Sequence, residues 1–155
     1  MTSAWETSAF ITSNKKLSQF DFYKKNNATE NVLSLVKLQS KTFGTICEKI
    51  VYEMLNLQPR TSSQNDATYN NNKIEIKCAR YWSETNNCKW QHIEIGHDFD
   101  FILFVLLDFT DFKIWGIKKK KLIKIGKLTK QGLQGMWVNK NDIIEHLTQI
   151  YPLSA

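Results

Sequence analysis

Residues 100–107, Asp-Phe-Ile-Leu-Phe-Val-Leu-Leu, restrict what this chain can fold into more than any other stretch. An unbroken apolar run of this length, rich in aromatic and β-branched side chains, predicts a strand buried on both faces rather than the alternating strand of a half-solvated sheet. The run is far too short to cross a membrane, which takes about 20 apolar residues. Asp108-Phe-Thr-Asp111 supplies a turn, and Phe112-Lys-Ile-Trp-Gly-Ile117 returns as the next strand. A strand covered on both sides needs a layer on each, so the expected architecture is α/β (α+β), a central mixed β-sheet flanked by helices.

Upstream, residues 61–80 read as two short strands joined by a turn. Tyr69-Asn70-Asn71-Asn72-Lys73 is a run of turn formers, and Ile74, Ile76 and Cys78 alternate with Glu75, Lys77 and Ala79. The period of two puts Glu75 and Lys77 on one face of the second strand. Asp66, on the preceding arm, is expected beside Glu75 across the hairpin. Two carboxylates and an ammonium then converge on one small volume, an arrangement that can hold Mg²⁺ and place an activated water beside it. The plain alternative is a Glu-x-Lys pair on a solvated strand face.

These residues carry a resemblance. Asn65-Asp66-Ala67 followed by Ile74-Glu75-Ile76-Lys77 resembles the PD-(D/E)xK nuclease superfamily, and most of all its small type II restriction endonucleases; Asn65 stands where the family has proline. The resemblance covers roughly residues 40–117. It implies a restriction-endonuclease-like core, Mg²⁺ as cofactor, double-stranded DNA as substrate and a homodimer, in which two-fold protein symmetry meets a palindromic site. It also implies Asp66, Glu75 and Glu48 as metal ligands and Lys77 as the residue that positions and deprotonates the attacking water. Gln91 would line the site from a second core helix.

The rest of the chain supports a helical frame. Residues 28–38 predict a short helix capped by Thr29 or Asn27. In residues 40–55, apolar side chains at 43, 46, 47, 50, 51, 54 and 55 form a 3.6-residue stripe, with Glu48 beside it; Pro59 marks the end of that helix. Residues 81–95 read as a loop and a short helix. Lys118-Lys-Lys-Lys-Leu-Ile-Lys-Ile125 begins a basic helix or loop, and residues 126–136 form a flexible loop with glycine among Lys, Thr and Gln. A final helix is expected over residues 141–150, capped by Asn139 or Asn141, with Ile143, Ile144, Leu147 and Ile150 as its stripe. The expected organisation is one nuclease domain. Residues 1–39 form an N-terminal helical segment for dimerisation or DNA contact, 40–117 the catalytic core, and 118–155 a basic loop and C-terminal helix. In the first part, Phe10, Ile11, Leu17, Phe20, Phe22 and Tyr23 either pack on the core or serve a dimer interface.

Charge narrows the function. The formal net charge is +6, and lysines cluster at 15–16, 24–25 and 118–121, as phosphate contacts require. Candidate DNA contacts are Arg80, His92, Lys127, Lys130, Gln131 and Gln134. Cys47, Cys78 and Cys88 lack disulfide or metal-ligand spacing, and Met1-Thr-Ser-Ala-Trp-Glu6 has no basic patch leading into an apolar stretch. A cytoplasmic protein without a membrane segment is expected. Besides restriction, the pattern allows a structure-selective nuclease such as a Holliday-junction resolvase or repair nickase. It also allows a non-catalytic nucleic-acid-binding protein that uses Trp82, Trp90 and Trp137, or an interaction protein in which Asp66, Glu75 and Lys77 are only an ion-pair cluster.

Overall fold

The computed structural model describes residues 18–82, 85–133 and 135–153. Its centre is strand β4 (Phe101–Leu107), in which every residue from Ile102 onward is buried. Four other strands complete a mixed sheet around it: β1 (Ala67–Tyr69), β2 (Asn72–Arg80), β5 (Phe112–Lys118) and β8 (Thr148–Tyr151), in the order β1-β2-β4-β5-β8. Strands β2 and β4 run parallel and the other neighbours antiparallel. A parallel pair needs a crossover. Here the crossover includes β3 (Lys89–Ile93), which pairs with β7 (Met136–Asn139); β7 also pairs with β6 (Thr129–Lys130) to give a second, three-stranded sheet.

The two faces of the central sheet follow from its register. Ile74, Ile76, Cys78 and Arg80 pair with Phe101, Leu103, Val105 and Leu107, while Glu75, Lys77 and Ala79 pair with Ile102, Phe104 and Leu106. The first face is covered by helix α3 (Ser40–Met54), which buries Phe43, Cys47 and Val51 against it. The Cys47 and Cys78 thiols meet there in a hydrogen bond, and burial adds to it in holding the Cys78 thiol un-ionised. The opposite face is covered by Trp90 of β3. Its ring lies 4.4 Å from Phe104 and 6.1 Å from Trp115, and its Nε1–H donates to the Val105 carbonyl at 2.9 Å.

Two short helices close one end. Helix α1 (Gln19–Lys25) is capped by Ser18, and α2 (Glu30–Val36) by Thr29, whose hydroxyl accepts from Val32 N–H. Phe22 and Tyr23 are buried with Tyr81 and Phe109 in an aromatic cluster; the Tyr23 hydroxyl donates to the Leu107 carbonyl and accepts from Tyr81 N–H. So these N-terminal aromatics pack on the core. Phe10, Ile11 and Leu17 lie outside the described residues.

Two expectations are corrected. Residues 81–95 contain β3, not a short helix. Helix α3 occupies the expected stretch and ends at Met54, where Asn56 takes a left-handed φ of 52° and the chain turns ahead of Pro59. The final helix over 141–150 is replaced by a short α5 (Lys140–Ile143), a 3₁₀ turn (Ile144–His146) and strand β8. Asn139 does occupy the N-cap of α5, without a side-chain cap bond. The lysine run forms helix α4 (Lys119–Ile125), stopped by Gly126 at φ 75°. The central sheet therefore extends past residue 117, drawing its edge strand from the C-terminal segment.

Candidate active site

The site begins where a ladder runs out. Strand β1 pairs with β2 at three positions, Tyr69↔Asn72, Thr68↔Lys73 and Ala67↔Ile74. Asp66 comes next. Its backbone N–H donates to the Ile74 carbonyl at 2.9 Å, and its Oδ2 accepts from Ile76 N–H at 2.7 Å. A carboxylate oxygen thus takes the place that the next strand residue would have held, and the side chain stays fixed opposite Glu75. Asn65, the residue before Asp66, is 1% exposed. Its amide accepts from Thr61 N–H and donates to Thr61 Oγ1 and the Asp98 carbonyl, tying the approach to Asp66 to a second loop.

Glu75 is only 6% exposed, which rules out a solvated surface glutamate. Burying a carboxylate is costly unless it is paired, protonated or bound to a cation. Burial pushes its carboxyl up to about 9; hydrogen bonding and charge repulsion from Asp66 add to this, with Glu48 contributing and Lys77 opposing. Glu48 reaches the same group from α3. Its carboxyl is pushed up to about 7, first by burial and then by Asp66, against the pull of Lys77 and Arg60. The three carboxylates and Lys77 therefore share one electrostatic environment, and Asp66 is within hydrogen-bonding reach of both glutamates.

Glu48 and Lys77 line a polar cleft of about 440 Å³ between α3, β2 and β3. Gln91 and His92 border it from a β-bulge. Trp90 pairs with Val138 and Ile93 with Met136, so three steps along β3 oppose two along β7. The extra residue leaves Gln91 and His92 both exposed between buried Trp90 and Ile93, with His92 at a φ of 59°. Bulges of this kind re-aim side chains, and left-handed backbone in a non-glycine residue is strained. Gln91 thus reaches the cleft from a strand rather than from a helix. A second cavity of about 320 Å³, lined by residues such as Leu55, Leu57, Leu103 and Ile150, offers little chemistry.

The candidate DNA contacts are placed less uniformly. Lys127 and Lys130 are exposed, on and beside β6. Gln131 donates through Nε2 to Gln91 Oε1 at 2.8 Å, and Gln134 lies outside the described residues. The Arg80 guanidinium is engaged by the fold. It donates to the carbonyls of Val36 and Leu38, both at 2.8 Å, and to Ser40 Oγ, and lies over the Phe43 ring. It satisfies the C-terminus of α2, a standard use of a cation. Sequence reasoning missed Lys89, whose Nζ lies 5.1 Å from the Trp82 ring and 4.0 Å from the Trp137 ring. The only signal was its place one residue before Trp90.

Among the described residues, no set of three or more His, Cys, Asp or Glu side chains has the geometry of a ready-made metal cage. The donor chemistry nonetheless suits a hard cation. Mg²⁺ commonly takes one or two carboxylates and fills its remaining positions with water and substrate oxygens. Burial, and then repulsion from Asp66, also pushes the Glu48 and Glu75 carboxyls up, and a bound cation would offset both effects. Among the described residues no helix is long and apolar enough to cross a membrane. No family model, curated protein or solved structure matches the chain.

Proposed function

We propose that the chain is a Mg²⁺-dependent endonuclease that hydrolyses phosphodiester bonds in double-stranded DNA, of the site-specific type II restriction kind. One observation carries this reading: Glu75, buried and fixed opposite Asp66, shares its charge environment with Glu48 and with Lys77, which opens onto a polar cleft. An inert surface ion pair needs neither the burial nor the third carboxylate. When bound, Mg²⁺ held by Asp66, Glu75 and Glu48 would lower the pKa of a coordinated water and offset charge on the phosphate.

The chain's own groups then divide the remaining work. Asp66 stays oriented because Ile76 N–H fixes one of its oxygens, leaving the other for the ligand. Lys77 Nζ, at the cleft wall, positions the attacking water, takes part in its deprotonation and donates to the non-bridging phosphate oxygens as negative charge develops. Gln91 and His92, re-aimed by the bulge, border the path of the substrate. Cutting both strands needs two such centres, which a two-fold homodimer provides.

Incubation with a mixed-sequence plasmid tests the proposal, comparing Mg²⁺ with EDTA and wild type with Lys77→Ala. Discrete Mg²⁺-dependent fragments that vanish in the variant support a site-specific nuclease. Nicking or smearing supports a structure-selective enzyme on the same core. Absence of any cleavage with Mg²⁺ or Mn²⁺ on plasmid and branched DNA overturns the nuclease reading.

A further inference from the structure

We propose that the outward face of the β3–β7–β6 sheet, centred on Lys89, is the surface on which the substrate strand lies, with Lys89 binding a backbone phosphate near the one that reaches Lys77. The inference deepens the nuclease reading and rests on it for the identity of the polyanion.

This sheet turns Trp90, Ile93 and Val138 inward, each fully buried. Alternation along β3 and β7 puts Lys89 and Trp137 on the opposite face, and their contact shows that they share it. Lys89 sits between two indoles, Trp82 on one side and Trp137 on the other. Cation–π contacts on both sides hold the ammonium in place, so less side-chain freedom remains to be lost when a phosphate binds. Trp82 is 46% exposed. An exposed indole in contact with a lysine at the mouth of a polar cleft is suited to a flat or anionic ligand.

Charge complementarity selects the occupant. No Asp or Glu occurs from residue 112 to residue 141, which includes all of β6 and β7, and none from 85 to 93, which includes β3. The face therefore carries Lys89 without a carboxylate from its own strands, and the β6 residue that shares it with Trp137 is the neutral Thr129. It is continuous with the candidate active site, because Lys89, Trp82 and Gln91 line the same cleft as Lys77 and Glu48. A polyanion bound here leads directly to the reacting centre.

Duplex DNA binding in EDTA, followed by fluorescence anisotropy across a salt series, tests the inference without cleavage. Lys89→Gln is expected to weaken binding by about tenfold and to flatten the slope of log affinity against log salt by about one. Lys89→Arg keeps the charge and should retain the slope, which separates charge loss from misfolding. Lys49→Gln, at an exposed position that does not line the cleft, controls for general loss of positive charge. Equal affinity and slope for Lys89→Gln and wild type overturn the inference, as does an equal loss in Lys49→Gln. Single-stranded DNA and RNA of the same length run alongside; Lys89-dependent binding to either in preference to duplex keeps the surface and reassigns its strand. Lys89-dependent binding by a wild-type protein that never cleaves overturns the nuclease reading alone. Cleavage with unchanged Lys89→Gln binding overturns this inference alone.

Discussion

Replacing Glu75 by glutamine should make the metal-free protein more stable at neutral and alkaline pH, even though it removes a central site residue. The Glu75 carboxyl, ordinarily near 4.5, is pushed up to about 9 in the fold by burial and then by Asp66. Between those values the folded state binds a proton that the unfolded state lacks. Stability associated with this group is therefore fully present below about 4.5 and is lost as pH rises toward about 9. At about 1.4 kcal/mol per pH unit, the loss accumulated by pH 7 is on the order of 3 kcal/mol. Glutamine has no proton to lose, and its amide can still donate to Asp66. Glu75→Gln should thus match wild type near pH 4.5 and exceed it by roughly 3 kcal/mol at pH 7, equivalent to about 6–12 °C in Tm for a domain of this size. Urea unfolding in EDTA, followed by the fluorescence of the five tryptophans, measures the gap at each pH. Adding Mg²⁺ should stabilise wild type and narrow it. A gap that does not change with pH, or a wild type more stable than the variant at pH 8 without metal, would refute the buried, protonated Glu75.

Lys77→Ala should lower the rate of DNA cleavage by about 100-fold or more, the scale of losing an electrostatic or proton-transfer group; a rate within a few-fold of wild type removes Lys77 from the mechanism. Asp66→Ala leaves Ile76 N–H without its acceptor and should destabilise by about 1–3 kcal/mol. Asp66→Asn keeps an oxygen there, so it should unfold near wild type in urea while losing cleavage. Arg80→Ala should cost about 2–4 kcal/mol through its bonds to Val36, Leu38 and Ser40. Its duplex affinity should keep the wild-type salt slope, and a slope flattened by about one would make Arg80 a phosphate contact.

Much of the central sheet was legible because its signals are local. The apolar run of β4, the return of β5 and the turn between β1 and β2 each announce themselves within a few residues. So does the pairing of Asp66 with Glu75, since a tight antiparallel turn determines which residues face each other. Strand β3 was hidden by its own bulge: Lys89-Trp-Gln-His-Ile93 does not alternate, because the extra residue at Gln91–His92 breaks the period. The C-terminal segment failed for a different reason. Ile143, Ile144, Leu147 and Ile150 have helical spacing, but β5 has an open edge, and Thr148–Tyr151 pairs with it instead. Ladder hydrogen bonds to a distant strand outweighed the local period, which no window of sequence reveals. Arg80 illustrates the same limit within the site. Its charge suggested DNA, whereas its carbonyl partners lie about forty residues earlier in the chain.

The account stands on Glu48, Asp66 and Glu75 forming a cation site, and direct ion binding tests this best. Titrating the protein with Mn²⁺ while following the paramagnetic resonance of the free ion counts bound metal without any substrate. Saturable binding that tightens from pH 6 to pH 8, as the glutamates give up their protons, and that disappears in the Asp66→Asn, Glu75→Gln double variant is the predicted result. Binding equal in wild type and the double variant, or none at all in wild type at pH 8, would contradict it.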